Sequence, residues 1–359
     1  MKIGILTYHR THNYGGCLQA LATRIVLEQM GHKVYYVDYW PKYHSDVYSG
    51  FSMEKLRRAK GLKNKIHMIL DTLRYGRFRR KREKNFAHFI DREIAPLCKP
   101  LSESYDAVIY GSDQIWRKQP VLNDYNPMYF ADNDINAQTH IAFSASMGIM
   151  PVGDESKKKL QDLISNFNHI AVREIELKNY LNQLGFDNVA LTLDPTLLVP
   201  KKLWNRILPL KPFEGGRYVL LYALHDTFDK EKIEQFASAR DLSVKVLYGN
   251  PYQDDSEDVI TTAGPCGFIS LIKNAEFVFS SSFHGLAFSL IYEKEFLVSF
   301  GSNAGRAISL LNSVGLDNRF LHPKADLPED MEPINYSIVN NKLQTLQDHS
   351  LNFLKVALK

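Results

Sequence analysis

Cysteine is scarce in this chain. Cys17, Cys98 and Cys266 are the three present, an odd number with no CxxC spacing, so neither a disulfide framework nor a cysteine zinc site underlies the fold. Long apolar runs are also missing. No stretch approaches the roughly 18 apolar residues that a membrane span requires. The opening MKIGILTYHR is too short for a secretory signal and lacks a small-residue cleavage pattern; a cytoplasmic protein is expected. Short repeats and low-complexity tracts are absent too, which excludes a solenoid or a disordered polymer. What remains is a soluble globular composition, 45% hydrophobic and 23% charged over 359 residues, long enough for about two domains.

Net charge is only +4, but it is unevenly placed. Residues 54–84 hold 13 Lys/Arg against three acidic residues, a local charge of +10 that leaves −6 for the rest. Within this segment Leu56, Leu62, Ile66, Ile69, Leu70 and Leu73 recur at roughly helical spacing. Such a helix can be a solvated face, or it can lie on an anionic bilayer. No nucleic-acid recognition motif accompanies it and aromatic residues are not interleaved with the charges, so nucleic acid is not an expected partner.

The rest of the chain alternates. KIGILTY reads as a buried strand, HRTHNYGG as a polar loop, CLQALATRIVLEQM as a helix ended by Gly31, and KVYYVDY as the next strand. This βαβ opening predicts a parallel sheet. After the basic segment, YDAVIYGSDQIW and AQTHIAFSASMG each run from strand into polar turn, and HIAVR is a strand between two helices. The stretch 199–217, VPKKLWNRILPLKPFEGGR, is rich in Pro, Gly and Lys and reads as an inter-domain linker. The alternation then restarts with RYVLLYAL. The expected fold is α/β, with two Rossmann-like domains facing a cleft. The first covers 1–199 and carries a basic helical module at about 54–90; the second covers 200–335. A last helix in 336–359 is placed to pack back on the first domain.

In open α/β sheets, ligands sit at the carboxyl ends of the strands, where helix N-termini offer free N–H groups and partial positive charge. Polar residues at those ends are therefore the candidates. In the first half they are His9, Arg10, His12 and Asn13 after KIGILTY, Ser112 and Asp113 after DAVIY, Ser144 and Ser146 after HIAF, and Arg173 after HIAV. In the second half they are Ser280, Ser281, Ser282 and His284 after EFVF, and Arg306 after FLVSF. Arginine and serine suit anions; histidine and aspartate move protons. Plainer roles stay open: the serines can cap the following helix, Asn13 and Asp113 can cap or turn, and the arginines can pair with carboxylates. The SDQ turn and the DND at 132–134 are common loop triplets, and no metal site is assigned.

Taken in order, ILTYHRTHNYGGCLQA, VIYGSDQIW, IAFSASMG, AVRE, TLDPTLL and AEFVFSSSFHGLAFSLIYEKEF resemble the polysaccharide pyruvyl transferase family, over roughly residues 1–320. The resemblance implies a fold similar to two-domain (GT-B-type) glycosyltransferases with the site between the domains. It implies transfer of the pyruvyl skeleton of phosphoenolpyruvate (PEP) onto two sugar hydroxyls, with phosphate released and no cofactor. His284 matches the family's catalytic histidine and Arg173 a PEP-binding arginine. The family's Arg-x-His has Ser282 at its arginine position, and Arg306 is the expected replacement. Ser281, Ser282 and Gly285 are expected to complete the PEP side and Asp113 to take a hydroxyl proton. His9, His12, Asn13 and Ser144 are expected to face the acceptor, a sugar of a cell-surface polysaccharide or of its lipid-diphosphate-linked precursor, at an inner membrane face reached through residues 54–84. Two other functions fit the fold. One is a nucleotide-sugar glycosyltransferase, for which Glu276 and Asp317 are the acidic residues available as a ribose clamp. The other is a non-catalytic binder of anionic glycan or lipid.

Overall fold

The computed structural model describes residues 1–44, 57, 61–119, 121–210, 216–250, 253–301 and 304–359. Positions 54–56 and 58–60 of the basic segment, and 211–215 of the expected linker, lie outside the described residues. Seven strands form the first sheet: β1 (Lys2–Leu6), β2 (Lys33–Val37), β3 (Cys98–Lys99), β4 (Tyr105–Tyr110), β5 (Ala137–Ala145), β6 (His169–Val172) and β7 (Val189–Leu191). Their order is β3-β2-β1-β4-β5-β6-β7. The second sheet is built from β8 (Tyr218–Ala223), β9 (Ser243–Tyr248), β10 (Val259–Ile260), β11 (Phe277–Ser280), β12 (Glu295–Ser299) and β13 (Phe320–Leu321), in the order β10-β9-β8-β11-β12-β13. All strand pairings within the two sheets are parallel. Runs such as KIGIL and YVLLYA are almost wholly buried, as strands with both faces covered must be.

The helices α1 (Tyr14–Gln29), α2 (Leu62–Glu93), α3 (Asp154–Ile164) and α4 (Ile175–Gln183) belong to the first half. The second half holds α5 (Lys201–Ile207), α6 (Lys230–Ser238), α7 (Pro265–Asn274), α8 (Phe283–Ile291) and α9 (Gly305–Val314), followed by α10 (Tyr336–Ala357). In each sheet the strand order reverses once, between β1 and β4 and between β8 and β11. Connections leave to opposite faces at such a point, and the crevice this opens beyond the carboxyl ends is where open α/β sheets bind ligands.

The two halves share one apolar core, which runs from α1 through Phe86 and Phe89 of α2 into α7 and α8. Tyr14 joins them. Its ring stacks on Phe268 at 4.6 Å, and its hydroxyl accepts from Arg82 at 2.7 Å and donates to the Ala263 carbonyl at 3.0 Å. Arg82 also donates to the carbonyls of Thr261 and Gly249, and Asn85 to that of Thr262. The second half of α2 therefore binds the second domain, and part of the basic segment is not a solvated face. The helix α10 packs on the first sheet and on the chain leaving it: Phe353 stacks on Phe143, and Ser350 Oγ accepts from the Leu193 N–H at 3.0 Å. Among the described residues no helix is long and apolar enough to cross a membrane.

Candidate active site

The two reversal points open onto one cavity of about 280 Å³. From the first sheet it is lined by Tyr8, Thr11 and Asn13 after β1, and by Asp113, Gln114 and Arg117 after β4. From the second come Leu224 and His225 after β8, Ser281, Ser282, Phe283 and His284 after β11, and Phe300 and Arg306 after β12. A larger apolar hollow of about 640 Å³ lies between α2 and α7 and contains none of these residues.

Local sequence sets up both walls. Asn13 is the N-cap of α1; its Oδ1 accepts from the N–H of Gly15 at 2.9 Å and of Gly16 at 3.4 Å, meeting two donors that the helix leaves free. At the start of α8, Ser280 Oγ accepts from the Ser282 N–H at 3.1 Å. Gly285 makes this turn possible, since a Cβ there would lie 1.9 Å from Ser280 Oγ. Ser281 Oγ accepts from the N–H groups of Leu224 and His225, both at 2.9 Å, and meets the Tyr222 carbonyl at 3.3 Å. That hydroxyl fastens β11 to β8.

His284 is nearly buried, in the first turn of α8. Its Nε2 stands 3.5 Å from Oδ2 of Asp194. Asp194 is fully buried at the turn after β7, and the same Oδ2 pairs with Arg173 Nη1 at 2.5 Å and accepts from Ser112 Oγ at 3.2 Å. The other oxygen accepts from Thr196 N–H at 3.0 Å and Oγ1 at 2.7 Å. Burial alone would raise the Asp194 carboxyl; the His284 ring and the Arg173 guanidinium overcome it and hold the group well below the usual carboxylate range. A charged Asp194 thus faces Nε2 and orients the ring, leaving Nδ1 on the other side, next to Gly15. A Cβ on Gly15 would lie 2.1 Å from Nδ1, so the imidazole is wedged between a carboxylate of one domain and the first turn of α1. Gly15→Ala is expected to push the ring off Asp194 and lower turnover about tenfold or more, with the far-ultraviolet circular dichroism unchanged. Full activity in that variant would show the wedge to be irrelevant.

Arg306 sits over the other edge of the same constellation. Two guanidinium groups lie against Phe283, with Arg173 Cζ 5.3 Å and Arg306 Cζ 5.5 Å from its ring centre. Arg306 makes no hydrogen bond among the described residues, and the nearest carboxylate, Glu174, is 3.9 Å away. Burial, and then the nearby Arg173 charge, push its pKa down to about 10. A bound anion removes both penalties. Glu174 is buried; burial raises its carboxyl above the ordinary range, and one oxygen takes the Ser146 hydroxyl.

Five of the expected site residues stand elsewhere. Arg173 is sealed, its side chain 1% exposed, and its charge is met by Asp194 and by Asp113 at 3.6 Å; it holds the carboxylate and does not line the cavity. His9 is fully buried beneath β2, stacked on Tyr36 with Nδ1 2.9 Å from the Thr7 carbonyl, and burial pushes its pKa down to about 4. Ser144 is buried and donates to the Leu193 carbonyl at 2.7 Å. His12 rests against Phe86 of α2 instead of the cavity. Gly285 serves the turn geometry described above and does not line the cavity. Asn13, Asp113, Ser281, Ser282, His284 and Arg306 do meet in the cavity. His9, Asp38 and Cys98 bring possible metal-ligand atoms within 4.8 Å of one another, yet Arg10 already places its cation on Asp38 at 2.7 Å.

Arg117, His225, Asp194 and Glu174 were not among the expected residues. Arg117 follows the GSDQIW turn and His225 follows RYVLLYAL, so the strand-end rule reaches both. Asp194 lies in TLDPTLL, where only a turn was legible, and Glu174 stands next to Arg173.

A sequence model of polysaccharide pyruvyl transferases matches residues 13–300. The chain belongs to the polysaccharide pyruvyl transferase family. Members of this family are transferases of polysaccharide modification, and the two-sheet architecture above is the one expected for it. No curated protein matches the sequence. Among solved structures, the Escherichia coli heptosyltransferase WaaC with ADP shares 12% identity over 96% of this chain and 100% of its own, with a TM-score of 0.40. The glycosyltransferase SnogD from Streptomyces nogalater shares 13% over 98% and 95%, with a TM-score of 0.39. UDP-GlcNAc 2-epimerase from Neisseria meningitidis bound to UDP-GlcNAc shares 11% over 98% and 94%, with a TM-score of 0.44.

Proposed function

We propose that this family member moves the pyruvyl group of PEP onto two hydroxyls of a sugar, in a cell-surface polysaccharide or its lipid-linked precursor, and releases phosphate. One observation carries the reading: Arg306, half-buried and without a hydrogen bond among the described residues, faces the same small cavity as His284. A guanidinium in that state calls for an anion, and PEP brings a phosphate and a carboxylate, both suited to arginine forks. Arg117 offers a second cation from the opposite wall, and the first turn of α8, behind Ser282, offers free N–H groups.

The chemistry then follows from placement. His284 delivers a proton to the methylene carbon of PEP, and the central carbon gains oxocarbenium character. The first sugar hydroxyl bonds to that carbon, and its proton passes to Asp113. The carbon–oxygen bond to phosphate breaks with its electron pair, and the second hydroxyl closes the ketal. Asp113 hands its proton to the departing phosphate and the second hydroxyl's proton restores His284, so one PEP and one diol give one ketal and one hydrogen phosphate. Asp194 acts through His284 as a positioning residue.

Against a nucleotide-sugar glycosyltransferase stands the position of Glu276. It precedes β11, at the amino edge of the sheet, and pairs with Arg217 at 3.1 Å, far from the strand ends that form the cavity. The deciding test is the melting temperature with PEP and with nucleotide sugars, since only a bound ligand stabilises the fold, followed by phosphate release from PEP in the presence of acceptor glycans. Stabilisation by a nucleotide sugar alone overturns the proposal. For Arg306→Ala we expect PEP affinity to fall about tenfold to a hundredfold, the worth of a hydrogen bond to a charged group. Unchanged affinity by calorimetric titration removes Arg306 from the site.

A further inference from the structure

The first half of α2 turns its apolar side away from the protein. Leu62, Ile66, Ile69, Leu70 and Leu73 follow one another at i, i+4, i+7, i+8 and i+11, a single stripe on a 3.6-residue helix. They are between 41% and 76% exposed, whereas Met68, Asp71, Thr72 and Tyr75, on the other side, are half-buried. A helix on a globular domain ordinarily points its apolar stripe inward. Single exposed leucines need no explanation, but five in one row mark an interaction surface.

The charge next to the stripe says what kind of surface it meets. Arg77, Arg80 and Lys84 stand at i+4, i+7 and i+11 from Leu73, so they prolong the same face, and Lys63 flanks its start. All four are exposed, and none forms an ion pair among the described residues. The surrounding segment carries +10 in a chain that is otherwise −6. A purely apolar partner would leave these cations unmatched, and a polyanion would leave the leucines in water. A bilayer with anionic headgroups supplies phosphate and hydrocarbon in one plane, and long basic side chains reach up to the headgroups while their stems lie on the apolar layer.

We propose that residues 62–84 of α2 lie flat on an anionic bilayer and hold the protein there. The helix is too polar to span it. Arg82 and Asn85, on the inward side, fix the same helix to the second domain, so the bilayer grips the folded body and not a loose arm. This docking does not depend on PEP being the donor.

The test uses the full chain and extruded vesicles of phosphatidylglycerol with phosphatidylcholine, compared with phosphatidylcholine alone, read by co-sedimentation. Binding to the anionic vesicles should exceed binding to the neutral ones about tenfold or more and weaken as salt rises. Leu70→Asp with Leu73→Asp should lower it about tenfold or more, and Arg77→Glu with Arg80→Glu about as much, at roughly fivefold per basic residue. Both pairs are exposed, so the melting temperature should not move. Equal binding to both vesicle types, no binding at all, or undiminished binding by the Leu70/Leu73 variant overturns the proposal. So does a dimer in solution that this variant dissolves and anionic vesicles leave intact, which would make the stripe a contact between copies. Phosphate release from PEP with a soluble acceptor glycan is measured on the same variants and is expected to be unchanged, which separates failure of docking from failure of the catalytic reading.

Discussion

His284→Gln should abolish most pyruvyl transfer while leaving PEP bound. Glutamine keeps a polar, roughly isosteric group between Asp194 and Gly15 but carries no transferable proton. A positioned acid contributes about 10²–10⁴-fold, so kcat should fall by that factor. Arg306 and Arg117 remain in the variant, and PEP should still raise its melting temperature. The pair of measurements distinguishes loss of proton transfer from loss of the donor site. If kcat falls less than about tenfold, proton delivery belongs to another group. Glu174 is then the next to test, because burial raises its carboxyl above the ordinary range and Arg306 is its neighbour.

Asp194→Asn should cost both stability and activity. The carboxylate is fully buried and neutralises Arg173, which is itself sealed from solvent. Breaking one half of a buried pair leaves the other charge stranded, a loss of about 3–5 kcal/mol, read as a lower urea midpoint. The pH dependence has a definite sign. The folded carboxyl lies below its ordinary value, so its stabilisation is complete above about pH 4 and fades as the pH falls toward the depressed value. The gap between wild type and variant should therefore be full at neutral pH and shrink in acid. Turnover should fall too, because an amide no longer presents a negative charge to Nε2 of His284. A variant with the wild-type midpoint at neutral pH would show that Arg173 finds its counter-charge elsewhere.

Much of the scaffold was legible because its signals are local. Alternating buried runs and helix-period segments announced two parallel sheets; Asn13 before two glycines announced a cap; the serines after FVF announced a strand-to-helix corner. The polar residues at strand ends could be named from the same logic. Which of them face the cavity could not. His9 and Ser144 satisfy the strand-end rule as well as Asp113 does, yet neighbouring strands and turns cover them.

By itself, then, the sequence determined the kind of sheet, the places where strands give way to helices, and the uneven charge of residues 54–84, since each depends on residues near one another in the chain. Only the tertiary structure decided that Arg173 is neutralised, that Arg306 enters the cavity without a hydrogen bond among the described residues, that Asp194 stands behind His284, and that α2 reaches from one domain to the other. These outcomes turn on burial and charge pairing between residues as far apart in sequence as Asp194 and His284, and an ion pair's partner is fixed by distance in space, which no periodicity encodes.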